Sequence, residues 1–165
     1  MKNNKIILDT TYVLPLFGVQ IDISPTFLDE VKSIWKTGLI GYQLYLPSPC
    51  LIEVIYKLNR EFRKNKRSEA LDRYSLVLPT VIRSKVVEIS QSFLNPTICK
   101  TALNIRKAGH RDLMDCMIGA TATSLRGLLI TEDDELGKIM GKLEETRGTP
   151  KFTWKEFHQS VRRSK

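Results

Sequence analysis

The chain has 165 residues, with 26 Lys and Arg against 18 Asp and Glu, a formal charge of +8 and a pI near 9.5. One domain over residues 1–165 suits that length, and 42% hydrophobic residues beside 27% charged residues of both signs exclude a disordered polyelectrolyte. No apolar run reaches the roughly 18 residues of a bilayer span, and Asp9 interrupts the stretch from Ile6 to Val19 where a secretory leader would be apolar, so a cytoplasmic protein without a membrane partner is expected.

Lys5 to Asp9 is a short apolar run ending on an acid, which predicts a buried strand. Ser24 and Pro25 read as N-cap and first residue of a helix carrying Phe27, Leu28, Val31, Ile34 and Trp35 at helical spacing and closed by Gly38. Tyr42 to Leu46 is a second strand, stopped by Pro47. Ser48 then caps a helix with Pro49 at its first position, running through Leu51, Ile52, Val54, Ile55, Leu58 and Phe62 into a basic stretch. A helix over 68–78 ends at Pro79, and β-branched residues over 85–90 predict a third strand. Asn95-Pro96 opens a helix to about Lys107, closed by Gly109. Another helix covers about 111–125, broken by Gly127. Leu128 to Thr131 is a short buried strand, followed by an acidic turn and a helix to about Met140. Phe152 to Trp154 adds a last edge strand. Strands alternating with helices imply a three-layer α/β/α sandwich around a mostly parallel sheet.

The positive charge is local. Residues 57–67 hold six bases and one acid and residues 155–165 four bases and one acid, so these two stretches account for the whole +8 and leave 16 bases against 16 acids elsewhere. Each is either a solvated face or an anion-binding surface, with nucleic acid the commonest partner. Cys50, Cys99 and Cys116 have no metal-ligand spacing and read as reduced core residues. His110 and His158 are too few and too separated for a zinc site.

Ligands of parallel α/β sheets bind beyond the carboxyl ends of the strands, and two acids fall there. Asp9 closes the first strand, and Asp133 lies just past Leu128–Thr131. Glu53 stands in the first turns of a helix among apolar neighbours, an unusual setting for a residue rarely buried unpaired. Asp112 and Asp115 are three apart, and Asp115 precedes the core-like Cys116, Met117 and Ile118. Read singly, Asp9, Asp112 and Asp133 are ordinary helix N-caps. Gathered together, Asp9, Glu53, Asp115 and Asp133 would repel one another and raise each other's pKa unless a cation sat among them, and Mg²⁺ or Mn²⁺ is the matching hard ion. An acidic metal site on a basic protein points to a phosphodiester substrate, with the metal activating water. Glu53, Lys57, Arg60, Lys64 and Arg67 follow the helical period, a stripe running roughly 20 Å along an unbroken helix, on which a polynucleotide could lie.

On these residues the sequence resembles the PIN-domain ribonucleases, most closely the VapC-like toxin branch. The segments that carry the resemblance are ILDTTYVL at 7–14, PSPCLIEVIYKL at 47–58, RDLMDCMIGATA at 111–122 and LLITEDDEL at 128–136, in family order and spacing. The resemblance implies an α/β/α domain that cuts single-stranded RNA with Mg²⁺ or Mn²⁺, homodimerises and is held inactive by a small antitoxin protein. It makes Asp9, Glu53, Asp115 and Asp133 the acidic site and Asp112 an auxiliary acid. Thr11 matches the hydroxyl or amide position beside the first acid, Thr131 the hydroxyl before the fourth, and Gly119, Ala120 and Ala122 a small-residue patch that lets the helix approach the sheet. Glu135 and Leu136 depart from the family pattern, leaving Asp133 and Asp134 as alternatives for the fourth acid.

Two other readings use the same residues. Asp9-Thr10-Thr11-Tyr12-Val13 and Glu132-Asp133-Asp134 resemble the first and distal motifs of haloacid-dehalogenase-like phosphatases, a chemistry that does not call for Glu53 or Asp115. A PIN fold without catalysis, serving as an RNA-binding or assembly module, is the other.

Overall fold

The computed structural model describes residues 4–66 and 68–163. Five strands form one sheet: β1 Lys5–Leu8, β2 Gln43–Pro47, β3 Val87–Ser90, β4 Leu128–Ile130 and β5 Lys151–Phe152. The order is β3-β2-β1-β4-β5, and every pairing is parallel. Seven α-helices flank it: α1 Phe27–Thr37, α2 Pro49–Asn65, α3 Glu69–Ile82, α4 Pro96–Lys107, α5 Leu113–Leu125, α6 Asp134–Lys142 and α7 Trp154–Arg163. This is the expected α/β/α sandwich. With both faces of the sheet covered, β1 reads as an unbroken apolar run rather than an alternating one, and Ile6, Ile7 and Leu8 are all buried.

The chain leaves β1 towards β2 and β3 and returns to its other side with β4. The strand order therefore reverses at β1, which opens a crevice between the carboxyl ends of β1 and β4. Helix α5 lies over β2, β1 and β4 and packs on α4 and α2, and its run from Cys116 to Ala122 is buried throughout.

Several boundaries differ from the sequence reading for local reasons. Helix α1 starts at Phe27 behind Thr26, whose Oγ1 donates to Glu30, so Ser24-Pro25 form a turn before the helix. Ser48 precedes α2 without capping it, because its Oγ accepts from the Ser92 amide and ties the turn after β2 to the one after β3. Helix α3 continues through Pro79 to Ile82. An interior proline costs a helix about 3 kcal/mol, and burial of Val81 in the core offsets it. Arg126, in the left-handed region at φ 51°, ends α5. Gly127 is needed for closeness instead, since a Cβ there would sit 1.9 Å from Ile7 Cδ1 and 3.3 Å from the Lys5 carbonyl. Gly119 faces Met140 and Leu136 of α6 and not the sheet.

The end of the chain departs most. Trp154 opens α7 instead of ending a strand, and α7 carries the second basic stretch as far as Arg163. Trp154 and Phe157 are buried; the Trp154 ring stacks on Tyr12 and meets Phe27 edge-on. Cys50 and Cys116 are buried free thiols, and Cys99 is half-buried.

Candidate functional site

Four segments place an acid over the crevice. Asp9 follows β1 directly and is buried, with its amide donating to the Ile130 carbonyl across to β4. Glu53 stands on the second turn of α2, Asp115 in the first turn of α5, and Asp133 at the N-cap of α6. Carboxylate oxygens of Asp9, Glu53 and Asp115 lie within 4.8 Å of one another. Asp115 also belongs to a second group of the same span with Asp133 and the imidazole of His110. Side chains remote from one another in the sequence are thus held in two overlapping triads.

A chain of hydrogen bonds fixes them. The Thr10 amide donates to Asp9 Oδ1, and the Thr10 hydroxyl to Glu53 Oε2. Thr131 Oγ1 donates to Asp9 Oδ2 at 2.6 Å and accepts from the Asp133 amide at 3.1 Å. Asp133 Oδ1 caps α6 by accepting from the Leu136 amide at 2.9 Å, and Oδ2 accepts from His110 Nε2 at 3.0 Å. Asp115 alone of the four has no side-chain hydrogen bond among the described residues.

Burial dominates the electrostatics. It raises the Asp9 carboxyl above its ordinary value, against the hydrogen bonds of Thr131 and Thr10. Desolvation, with the charges of Asp9 and Asp112 added, pushes Glu53 up to about 7, although Thr10 and nearby Lys57 pull it down. Desolvation and then the charges of Asp9, Glu53, Asp112 and Asp133 push Asp115 up to about 8. Carboxyls that resist ionisation at neutral pH, packed against one another, are the signature of a site short of positive charge. Among the described residues, the one basic side chain bonded to any of the four is His110.

The other residues singled out in the sequence take varied places. Thr131 joins the acids; Thr11 makes no hydrogen bond to them among the described residues, and its neighbour Thr10 holds Asp9 and Glu53 instead. Asp112 caps α5 by accepting from the Met114 amide at 2.7 Å, exposed but close enough to raise Glu53 and Asp115. Asp133 is the acid in the cluster, whereas Asp134 begins α6 and is exposed. Glu132 accepts from the Tyr12 hydroxyl and the Trp154 amide. Lys57, Arg60 and Lys64 are exposed along α2, which is continuous to Asn65; Arg67 lies outside the described residues. His110, set aside as a zinc ligand in the sequence reading, is buried in the wall of the site. Its position two residues before the cap of α5 was the available hint.

Oxygen donors from several carboxylates suit a hard divalent cation, and the raised pKa values mark a place where one would relieve repulsion, so the residues present fit Mg²⁺ or Mn²⁺. A parallel sheet with acids gathered at its switch point defines an α/β domain with a cation-competent centre. The sequence model of the PIN domain matches residues 6–142, and the chain belongs to that family, whose members are in general nucleases that use a divalent metal. No curated protein matches it. Among solved structures it is similar to a chain of VapBC2 from Rickettsia felis bound to a DNA fragment from their promoter, at 13% identity and a TM-score of 0.57, covering 91% of this chain and 98% of that one. No described helix is long and apolar enough to cross a membrane.

Proposed function

We propose that the protein is a Mg²⁺- or Mn²⁺-dependent endoribonuclease that cuts single-stranded RNA and acts as the toxin of a toxin–antitoxin pair. The observation that carries this reading is the convergence of Asp9, Glu53 and Asp115 within 4.8 Å, with two of the three carboxyls pushed to about 7 and 8. Asp9, Glu53 and Asp115 would hold the cation, with Asp133 beside them. Bound there, a divalent ion activates water and offsets charge on the leaving oxygen.

The chain's own residues do the rest. Thr10 and Thr131 lock Asp9 through both its oxygens, and Thr10 also holds Glu53 by Oε2, so the cluster is organised before substrate arrives. Lys57, Arg60 and Lys64 extend about 16 Å from Glu53 along α2 and would grip successive phosphates. The antitoxin part of the reading is supported by a groove of about 600 Å³ between α1, α3 and the turn before β3. Trp35, Leu76, Val77 and Val86 line it and Lys32, Lys36, Arg83 and Lys85 rim it, with no acid among the described residues of the lining, which suits an apolar segment carrying negative charge. A homodimer belongs to the same proposal, and sedimentation equilibrium tests it.

The phosphatase alternative does not call for Glu53 or Asp115, whereas both lie within 4.8 Å of Asp9. Purified protein with Mn²⁺ is expected to cleave single-stranded RNA, to stop with EDTA, and to leave phosphomonoesters intact. Cleavage that survives EDTA overturns the metal dependence, and no cleavage with Mn²⁺ overturns the nuclease reading and favours a non-catalytic module.

A further inference from the structure

His110 is almost wholly buried, with 2% of its surface exposed, on the loop between α4 and α5. Three contacts lock it. Arg106 Nη1 on α4 donates to its carbonyl at 2.9 Å, the Asp112 amide donates to its Nδ1 at 3.3 Å with the Asp112 carbonyl 3.1 Å away, and Cys116 Sγ lies 3.7 Å from Nδ1. The remaining nitrogen, Nε2, meets Asp133 Oδ2. A backbone amide can only donate, so Nδ1 accepts from Asp112 and the ring proton sits on Nε2, facing Asp133.

Asp133 needs such a partner. Its side chain is 28% exposed, it lies within 4.8 Å of Asp115, and its one other side-chain hydrogen bond among the described residues is the cap of α6. A carboxylate in that position gains by swinging towards water. Resting on the metal-centre reading above, we infer that His110 is a positioning residue for that centre: it holds Asp133 against Asp115 from a rigid wall, without touching the cation itself. Outer partners of this kind set ligand orientation and alter metal affinity by about 10–100-fold.

The test measures Mn²⁺ affinity by calorimetry on the full chain, with circular dichroism and melting to verify folding. His110→Phe keeps the ring volume and removes both nitrogens; it is expected to weaken Mn²⁺ binding by about 10–100-fold. His110→Gln, with an amide nitrogen at a reach close to that of Nε2, returns most of the affinity. Because His110 acts through Asp133, adding His110→Phe to Asp133→Asn weakens binding no further. Wild-type affinity in His110→Phe, multiplicative losses in the double variant, or a ¹⁴N hyperfine coupling to bound Mn²⁺ would each overturn the inference. Failure of the wild type to bind Mn²⁺ removes the metal reading itself, and a separate readout remains: ¹⁵N shifts of metal-free protein should show Nε2 protonated and responsive to Asp133→Asn. A ring protonated at Nδ1 alone overturns the positioning role.

Discussion

At the scale of single residues, the proposed chemistry turns on Asp115. It is the one acid of the cluster whose side chain lacks a hydrogen bond among the described residues, and its carboxyl is pushed to about 8. Asp115→Asn is isosteric, so it should abolish metal-dependent cleavage while keeping the fold. It should also stabilise the metal-free protein at pH 8 by about 1–3 kcal/mol, well under the full value of the shift because the side chain is partly exposed and screened. Urea melts at pH 8 and pH 5 check this, and the gain should shrink at the lower pH, where the wild-type acid carries its proton. Asp9 and Asp133 were legible in the sequence because apolar strands led up to them, and Glu53 and Asp115 because they stood among apolar neighbours on helices. Thr10 and His110 were not: which of two adjacent threonines turns inward depends on the 3-10 turn after Asp9, and a lone histidine shows its partner only once α5 and α6 have been brought together.

At the scale of elements, two segments make separable predictions. The cations of α2 are exposed and follow one face, so replacing Lys57, Arg60 and Lys64 by glutamine should lower the slope of log affinity for single-stranded RNA against log salt by about 0.7 for each phosphate no longer gripped. An unchanged slope would make that face a solvated surface. The turn from α5 into β4 has no room for a side chain, so Gly127→Ala should destabilise the protein by about 1–3 kcal/mol through displacement of Ile7, read by chemical denaturation. Elements with strong local chemistry, such as the Asn95 cap with Pro96 behind it, stood where the sequence put them. Pro79 and Trp154 misled because tertiary burial outweighed local preference: Val81 holds the last turn of α3, and the 154, 157 spacing of aromatics buries one side of a helix that reads locally as a charged tail.

At the scale of the whole molecule, the acidic centre works against the fold. Carboxyls whose folded pKa lies above the unfolded value contribute stability below about pH 4, and that contribution is lost as pH rises through about 7 to 8. The metal-free protein should therefore melt at progressively lower temperature between pH 4 and pH 8. Mn²⁺ should raise the midpoint more at pH 8 than at pH 5, because binding competes with protons for the same oxygens. Differential scanning calorimetry with and without EDTA checks both, and a metal-free midpoint that does not change with pH would contradict the burial of Glu53 and Asp115.

The match to the PIN domain stops at residue 142, yet the segment beyond it reaches back to the first acid. Trp154 stacks on Tyr12, three positions beyond Asp9, and its amide shares Glu132 with the Tyr12 hydroxyl. A premature stop codon or a protease nick ahead of Trp154 would leave all four acids in the polypeptide and still strip the backing from the turn that aims the first of them. On the proposed function, such a shortened product should be inert for want of a scaffold, with every acid still encoded.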